Sequence, residues 1–197
     1  MIIDMRELLK ERGVSFMPNI AKRDEIENKV NDIMSTYNTG EAGFDITKFL
    51  TKTENFQIGL QFMDDDTTGI LLVDDNNCIP NTNTHRLIMI NEALKGQDDF
   101  LRRKRFIIAH EYAHFILHKK DEVQFAHRDT SKKDTTKEKE ADYFARCLLM
   151  PKELVEQFMK LDMFIDASES QKIEFISNAF NVTAKKSRQR LLELKYI

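Results

Sequence analysis

The sequence predicts an α+β fold in which helical segments surround a small three-stranded sheet. Three short apolar segments, each bounded by Asp, Asn or Gly, predict the strands over residues 56–62, 69–73 and 86–90. Two longer segments, residues 98–118 and 135–150, carry apolar residues at helical spacing. Of the 197 residues, 41% are hydrophobic, so the chain can fill the core of one domain with appendages.

The first 40 residues form a segment of their own in this prediction. Residues 4–12 and 22–36 are charged and have apolar positions at helical spacing, which predicts helices. The Asn and Gly residues at 38–40 then break the pattern. We therefore assign residues 1–40 to an N-terminal helical segment and residues 41–165 to the core.

Charge and cysteine content exclude several classes of protein. The net charge of −3, from 30 basic and 33 acidic residues, creates no overall field that would attract nucleic acid or anionic membranes. Cys78 and Cys147 are the only cysteines and lack metal-binding spacing, which favours a reducing compartment. No apolar stretch approaches the roughly 20 residues that span a bilayer, so we expect a cytoplasmic protein without a membrane partner.

The helix predicted over residues 98–118 carries the residues on which a functional hypothesis depends. His110 and His114 are four positions apart, so both side chains project from one helix face and can bind one zinc ion. Glu111 follows the first histidine, where its carboxylate can exchange protons with a zinc-bound water. This pattern predicts a catalytic zinc site that hydrolyses peptide bonds, with Glu111 as the catalytic base.

A catalytic zinc ion needs a third protein ligand from elsewhere in the chain. The metzincin arrangement is excluded, because it needs Gly and His where this chain has Leu117 and Lys120. Glu138 and Asp142 share one face of the helix predicted over residues 135–150, and the rest of that face is small and apolar. We expect Glu138 to be the third ligand and Asp142 to accept a hydrogen bond from a liganding imidazole.

Two nearby residues are weaker candidates for the same site. Glu140 is an alternative third ligand, but it lies two residues from Glu138 and points to another side of the helix. His118 continues the face of His110 and His114 one turn further along. We expect His118 to act as a cation at the helix C-terminus or as a hydrogen-bonding group behind the ligands.

Residues 102–118 (RRKRFIIAHEYAHFILH) and 138–151 (EKEADYFARCLLMP) together resemble the ImmA/IrrE metallopeptidases. The preceding segment IMIN at 88–91 agrees, and the resemblance covers roughly residues 44–155. It implies a gluzincin-like, zincin-type core with a small sheet over the active-site helix. It also implies a role in phages, mobile elements or stress responses, where members cleave a partner repressor of the helix-turn-helix class.

The C-terminal residues 166–197 contain two short amphipathic stretches joined at Asn181 and Val182, which is a helix-turn-helix-like outline. This module is basic, and its candidate contacts to DNA or to a partner are Lys185, Lys186, Arg188 and Arg190. Phosphate contact by a recognition helix is one interpretation. A packing module, or a docking surface for an acidic side of a repressor, is the favoured one.

Two functions follow from these observations. The first is a zinc-dependent endopeptidase that cleaves a partner repressor, and the intact Glu111 favours it. The second is a non-catalytic regulator of the same fold that binds a repressor or DNA.

Overall fold

The computed structural model describes residues 18–37, 41–64, 66–118 and 135–197. These residues form an α+β fold of seven α-helices and a three-stranded sheet. The elements in chain order are α1 (Ile20–Tyr37), α2 (Ile46–Thr53), β1 (Gln57–Gln61), β2 (Gly69–Val73), β3 (Arg86–Asn91), a 3₁₀ helix (Glu92–Gly96), α3 (Phe100–His118), α4 (Thr135–Leu149), α5 (Lys152–Met159), a second 3₁₀ helix (Asp162–Phe164), α6 (Glu169–Ala179) and α7 (Ala184–Glu193).

The predicted mixed fold is confirmed, and α1, the three strands, α3 and α4 begin and end within a few residues of the expected positions. The helix predicted over residues 4–12 lies outside the described residues, as do residues 119–134 between the two long predicted helices. None of the helices in the described part of the chain has the length and hydropathy to cross a membrane.

The sheet has the strand order β1-β3-β2. β3 pairs in parallel with β1 and antiparallel with β2, and Ile88 lies opposite both Ile58 and Leu71. Ile88 and Ile90 of this central strand are fully buried, because the helices cover one face of the sheet. β2 is thereby left at an edge of the sheet and packs against α3.

α3 and α4 pack closely against each other in the centre of the fold. Alanines Ala109 and Ala113 on α3, and Ala141 and Ala145 on α4, are all fully buried. Small side chains at such a contact let two helix backbones approach, which shortens the distance between polar groups on the facing sides.

Tyr112 lies within the histidine-bearing segment, but its ring belongs to the core. It meets the rings of Phe49, Phe56 and Phe144 edge-on, with centroid distances of 5.9, 6.1 and 6.1 Å. Its hydroxyl lies 3.4 Å from a carboxylate oxygen of Glu54. These contacts fix the rotation of α3 about its axis, and so they hold the histidine face away from the core.

The C-terminal helices share the core of the other elements. Ile176, Phe180, Val182 and Leu191 are fully buried in the same hydrophobic cluster as α1 and α3. α6 and α7 are joined by a tight turn in which Asn181 has a positive φ of 51°. The helix-turn-helix interpretation of this pair, and the domain boundaries at 40/41 and 165/166, stay predictions.

The loop between β1 and β2 is held by one buried side chain. Asn91 is 2% exposed, and its amide nitrogen donates to the carbonyl oxygens of Met63, Asp64 and Thr67 at 2.8–3.3 Å. Its side-chain oxygen accepts from the backbone nitrogens of Met63 and Ala93. A single amide therefore fixes the path by which the chain enters β2 next to α3.

Gly69 begins β2 at the point where this strand crosses α3. A Cβ atom at Gly69 would lie 2.5 Å from Cγ2 of Ile107 and 3.4 Å from a carboxylate oxygen of Glu111. Ile107 is buried and β-branched, so it cannot move aside easily. The absence of a side chain at Gly69 is what allows the strand to lie this close to the helix.

Gly69→Ala is therefore expected to lower the free energy of unfolding by about 1–3 kcal/mol, the usual range for overpacking in a core. Denaturant titration of the purified protein measures the change. Gly96→Ala is the matched control, because a Cβ there meets no atom within 4 Å, and stability should stay the same or rise by up to about 1 kcal/mol. Equal effects of the two changes would contradict the close approach at Gly69.

Candidate metal centre

Three side chains from α3 and α4 converge at the surface of the core. The Nε2 atoms of His110 and His114 are 3.1 Å apart. Glu138 reaches both, with one oxygen 3.2 Å from Nε2 of His110 and the other 3.5 Å from Nε2 of His114. In the described residues, these three form the one group of His, Cys, Asp and Glu side chains that is arranged to hold a metal ion.

The spacing of these atoms fits a tetrahedral zinc ion. Zinc bonds to His nitrogen and carboxylate oxygen of about 2.0–2.1 Å put neighbouring ligand atoms about 3.3 Å apart. The separations of 3.1, 3.2 and 3.5 Å lie on either side of that value, with a different Glu138 oxygen nearest to each imidazole. Two imidazoles and one carboxylate are also a ligand set of catalytic zinc sites, which keep the fourth position open.

The electrostatics of the cluster favour a cation. Burial opposes the charged form of His110, but its hydrogen bonds with Asp142 and Glu138 outweigh burial and raise the pKa of His110 to about 9. Positive charge is thus stabilised where the carboxylates meet the imidazoles. A divalent cation satisfies the same requirement, so the residues present fit the predicted zinc ion.

Glu111 lies on the buried side of this cluster. Its side chain is 1% exposed, and one carboxylate oxygen faces the start of β2 at Gly69. Its negative charge contributes to the raised pKa of His110. A buried carboxylate next to a candidate metal site, but outside the converging ligand set, is in position to accept a proton.

Asp142 lies behind His110, as expected from its spacing on α4. One carboxylate oxygen is 3.0 Å from Nδ1 of His110, so the imidazole can donate its N–H there and direct the Nε2 lone pair towards Glu138 and His114. The other oxygen is 3.1 Å from Nζ of Lys186 and 3.7 Å from Arg146. Burial raises the pKa of Asp142, but His110, Lys186 and Arg146 together lower it below its usual value.

Glu140 and His118 lie apart from the converging ligands. Glu140 is 3.9 Å from Nε2 of His118 and 3.9 Å from Nζ of Lys22, on a different side of α4 from Glu138. Burial lowers the pKa of His118, and the neighbouring His114 lowers it further. The role expected for His118 at the helix C-terminus stays a prediction.

A cleft of about 610 Å³ opens beside the cluster. Its lining comprises Thr68, Leu94, Asp99, Arg103, Phe106, Ile107, His110, Glu138, Asp142, Thr183, Ala184, Lys185 and Lys186. The cleft is therefore bounded by the entry to β2, by the first part of α3, by α4 and by the N-terminus of α7. A substrate in it would contact the candidate ligands and the C-terminal helix together.

The four basic residues proposed as DNA or partner contacts have different environments. Arg190 is 1% exposed and donates to the carbonyl oxygen of Met150 at 3.0 Å, so the prediction that Arg190 contacts a partner is wrong for this conformation. Helical periodicity could not reveal this, because the buried face of α7 carries a charged residue. Lys186 turns to Asp142, Arg188 bonds Glu169 at 3.0 Å, and Lys185 is exposed at the cleft.

Sequence reasoning missed four residues that shape the site. Gly69 had a signal, since an isolated Gly in a strand often marks a close backbone approach. The sequence signal for Asn91 was weaker: it is a polar residue at the end of an apolar strand. Arg146 and Glu193 had none, because their contact of 2.7 Å joins helices that are distant in sequence.

Comparisons with known proteins agree with this geometry. The family model Peptidase_M78, described as the IrrE N-terminal-like domain, matches residues 53–192, which include nearly all of α7. A solved structure described as a Mycobacterium tuberculosis transcriptional regulator superposes with a TM-score of 0.53 at 12% sequence identity, a likeness of fold alone. That match covers 94% of this chain and 49% of the other, so the chain spans about half the length of this relative. No curated protein matches the sequence.

Replacing Glu138 is expected to weaken zinc binding far more than replacing Glu140. Glu138→Gln should raise the Kd for zinc by about 100-fold or more, because even residues that only orient ligands change metal affinity about 10- to 100-fold. Glu140→Gln removes the same charge from the same helix and should change the Kd by no more than about threefold. Glu140 lies outside the ligand set, and solvent ions screen its charge from the bound zinc. Competition with a coloured chelator measures both, and the reverse order would identify Glu140 as the ligand.

Proposed function

Because the chain belongs to the Peptidase_M78 family, whose domain is described as IrrE N-terminal-like, we propose that it is a zinc-dependent endopeptidase. Its proposed substrate is a partner transcriptional repressor of the helix-turn-helix class. Cutting that repressor would make this protein an anti-repressor of a phage or mobile element, or a stress regulator. The observation that carries the proposal is the convergence of His110, His114 and Glu138 beside the buried Glu111.

The chemistry divides between the metal and the chain. Zinc, held by the two imidazoles and Glu138, would supply a polarised scissile carbonyl and a water of lowered pKa. Glu111 would take the proton that the attacking water releases and return it to the leaving amine nitrogen. The 1% exposure of Glu111 supports this role, because a carboxylate shielded from bulk solvent keeps that proton within the site.

A peptide substrate suits the shape of the site. β2 is an edge strand that begins next to Glu111 and whose second side pairs with no strand in the described ranges. An extended peptide can add to such an edge through main-chain hydrogen bonds. The cleft beside it, of about 610 Å³, is large enough to receive side chains on either side of a scissile bond.

The charges along the cleft favour a selective enzyme over a general peptide-degrading one. Arg103, Lys185 and Asp99 line its outer part, so both signs of charge face a bound substrate. Such walls favour matching sequences and disfavour others by like-charge repulsion. These charged walls fit an enzyme that cleaves one protein target at one or a few bonds. If that target is a repressor, the reaction takes place in the cytoplasm.

The second candidate is a non-catalytic regulator that keeps this fold and binds a repressor or DNA. Its support is the description of the structural neighbour as a transcriptional regulator. A non-catalytic function does not explain the buried Glu111, because binding alone needs no proton acceptor beside a metal. DNA binding is the less favoured form, because Lys186, Arg188 and Arg190 already contact groups within the chain.

The decisive experiment compares the zinc-loaded protein with its Glu111→Gln variant. Both are incubated with helix-turn-helix repressors encoded next to the gene, and the repressors are followed by intact mass. The wild-type protein is expected to make a discrete cut, while Glu111→Gln slows it by about 10²- to 10⁴-fold, the usual contribution of general acid–base catalysis. Glu111→Gln should still bind one zinc ion, because Glu111 is not one of the converging ligands.

Lys95→Gln is a control on an exposed residue whose salt bridge, among the residues that the structure describes, is with Glu92, and it should cleave normally. Cleavage by Glu111→Gln at the wild-type rate would contradict the mechanism. Repressor binding without a cut would favour the non-catalytic regulator.

A further inference from the structure

We infer that Lys186, at the start of α7, is a positioning residue of the metal site: it holds Asp142 so that Asp142 can orient the candidate ligand His110. The inference rests on the proposed metal site, although it does not require that the protein cleave anything. The inference also makes the C-terminal helix a wall of the metal site.

The contacts of Lys186 are specific and partly buried. Its ammonium lies 3.1 Å from Oδ2 of Asp142 and 3.8 Å from the centroid of the Phe106 ring, and its side chain is 18% exposed. Phe106 lies one turn before His110 on α3, and Asp142 lies one turn after Glu138 on α4. One ammonium thus bridges the two helices that provide the candidate ligands.

Without these contacts, a positive charge at the position of Lys186 would be unfavourable. Thr183 caps α7 and accepts a hydrogen bond from the backbone nitrogen of Lys186, which places Lys186 in the first helical turn. The positive end of the helix dipole lies there and disfavours a cation. Burial also lowers the pKa of Lys186, and Asp142 opposes that shift. Asp142 and the Phe106 ring therefore account for the direction in which this side chain points.

The two oxygens of Asp142 have separate partners. Oδ1 lies 3.0 Å from Nδ1 of His110, and Oδ2 lies 3.1 Å from Lys186. The side chain of Asp142 is 36% exposed, so the surrounding core does not fix its rotamer. By binding Oδ2, Lys186 leaves Oδ1 directed at the imidazole, and this holds Nε2 of His110 towards Glu138.

A second contact from α7 reaches the same carboxylate. Glu193 accepts from Nε of Arg146 at 2.7 Å, and Nη1 of Arg146 is 3.7 Å from Oδ2 of Asp142. The side chains of Arg146 and Glu193 are only 6% and 4% exposed. α7 therefore contacts Asp142 directly through Lys186 and indirectly through Glu193.

The sign of a metal-affinity change separates positioning from a simple charge effect. Removal of a nearby positive charge makes the site more negative, which by itself tightens the binding of a divalent cation. Loss of positioning releases Asp142 and weakens that binding. Lys186→Met keeps most of the aliphatic stem over Phe106 and removes the ammonium, so it sets the two effects against each other.

The test measures the Kd for zinc by chelator competition. Lys186→Met is expected to raise the Kd about 10- to 100-fold, the range for residues that orient metal ligands, and Lys186→Arg should recover most of the loss. Lys185→Met is the matched control, because it removes the same charge from the exposed neighbouring residue and should leave the Kd unchanged or slightly lower. The Co²⁺-loaded protein should show an altered visible absorption spectrum for Lys186→Met only.

A double-mutant cycle tests the route through Asp142. In an Asp142→Asn background, Lys186→Met should cause no further weakening of zinc binding, because the group that Lys186 holds has lost its charge. An equal loss in both backgrounds would overturn the inference, as would an unchanged or tighter Kd for Lys186→Met alone. Thermal unfolding with chelator present confirms that each variant is folded, and Lys186→Gln replaces Lys186→Met if that variant is unfolded.

The outcome is independent of catalysis. A wild-type protein that binds zinc and cuts no repressor would remove the proposed endopeptidase function, while the inference about Lys186 would stand on the affinities alone. If the protein cleaves its repressor but Lys186→Met has no effect on the Kd for zinc, the endopeptidase function would stand and the inference about Lys186 would fail.

Discussion

The close packing of α3 on α4 is the contact on which the rest of the structure depends. Both helices carry fully buried alanines, such as Ala113 and Ala141, and small buried side chains allow helix backbones to approach closely. That approach places a carboxylate oxygen of Glu138 3.2 Å from Nε2 of His110. A bulkier side chain at this contact would separate the ligand-bearing faces, and a metal bond tolerates displacements of only about 0.2 Å.

The polar groups behind the site are arranged as paired charges. Arg190, which is almost fully buried, lies 3.4 Å from Glu193 and 3.6 Å from Glu27, and Glu27 also accepts from the hydroxyl of Tyr143 at 2.6 Å. Buried charges are costly unless they are paired and hydrogen-bonded. This network joins α1, α4 and α7, so helices from both ends of the described chain support the helix that carries Glu138.

The C-terminal helix is the element for which the sequence left two interpretations open, a packing or docking module and, less favoured, a helix that contacts phosphate. Its basic composition is typical of a surface that contacts a polyanion. In the fold, Arg190 faces the core, Lys186 faces Asp142 and Arg188 contacts Glu169. Most of the basic side chains that could contact a polyanion therefore contact groups within the chain, and the helix lines the cleft.

The features that could be predicted from the sequence are those that depend on local geometry. Four-residue spacing on a helix puts His110 and His114 on one face wherever that helix lies, and the same rule pairs Glu138 with Asp142. The three strands also followed from local apolar segments. Long-range packing determines which oxygen meets which nitrogen, that β2 approaches α3 at Gly69, and that Lys186 bonds Asp142. Helical or strand periodicity shows which residues share one face of an element. What packs against that face depends on residues distant in sequence, so local patterns cannot predict it.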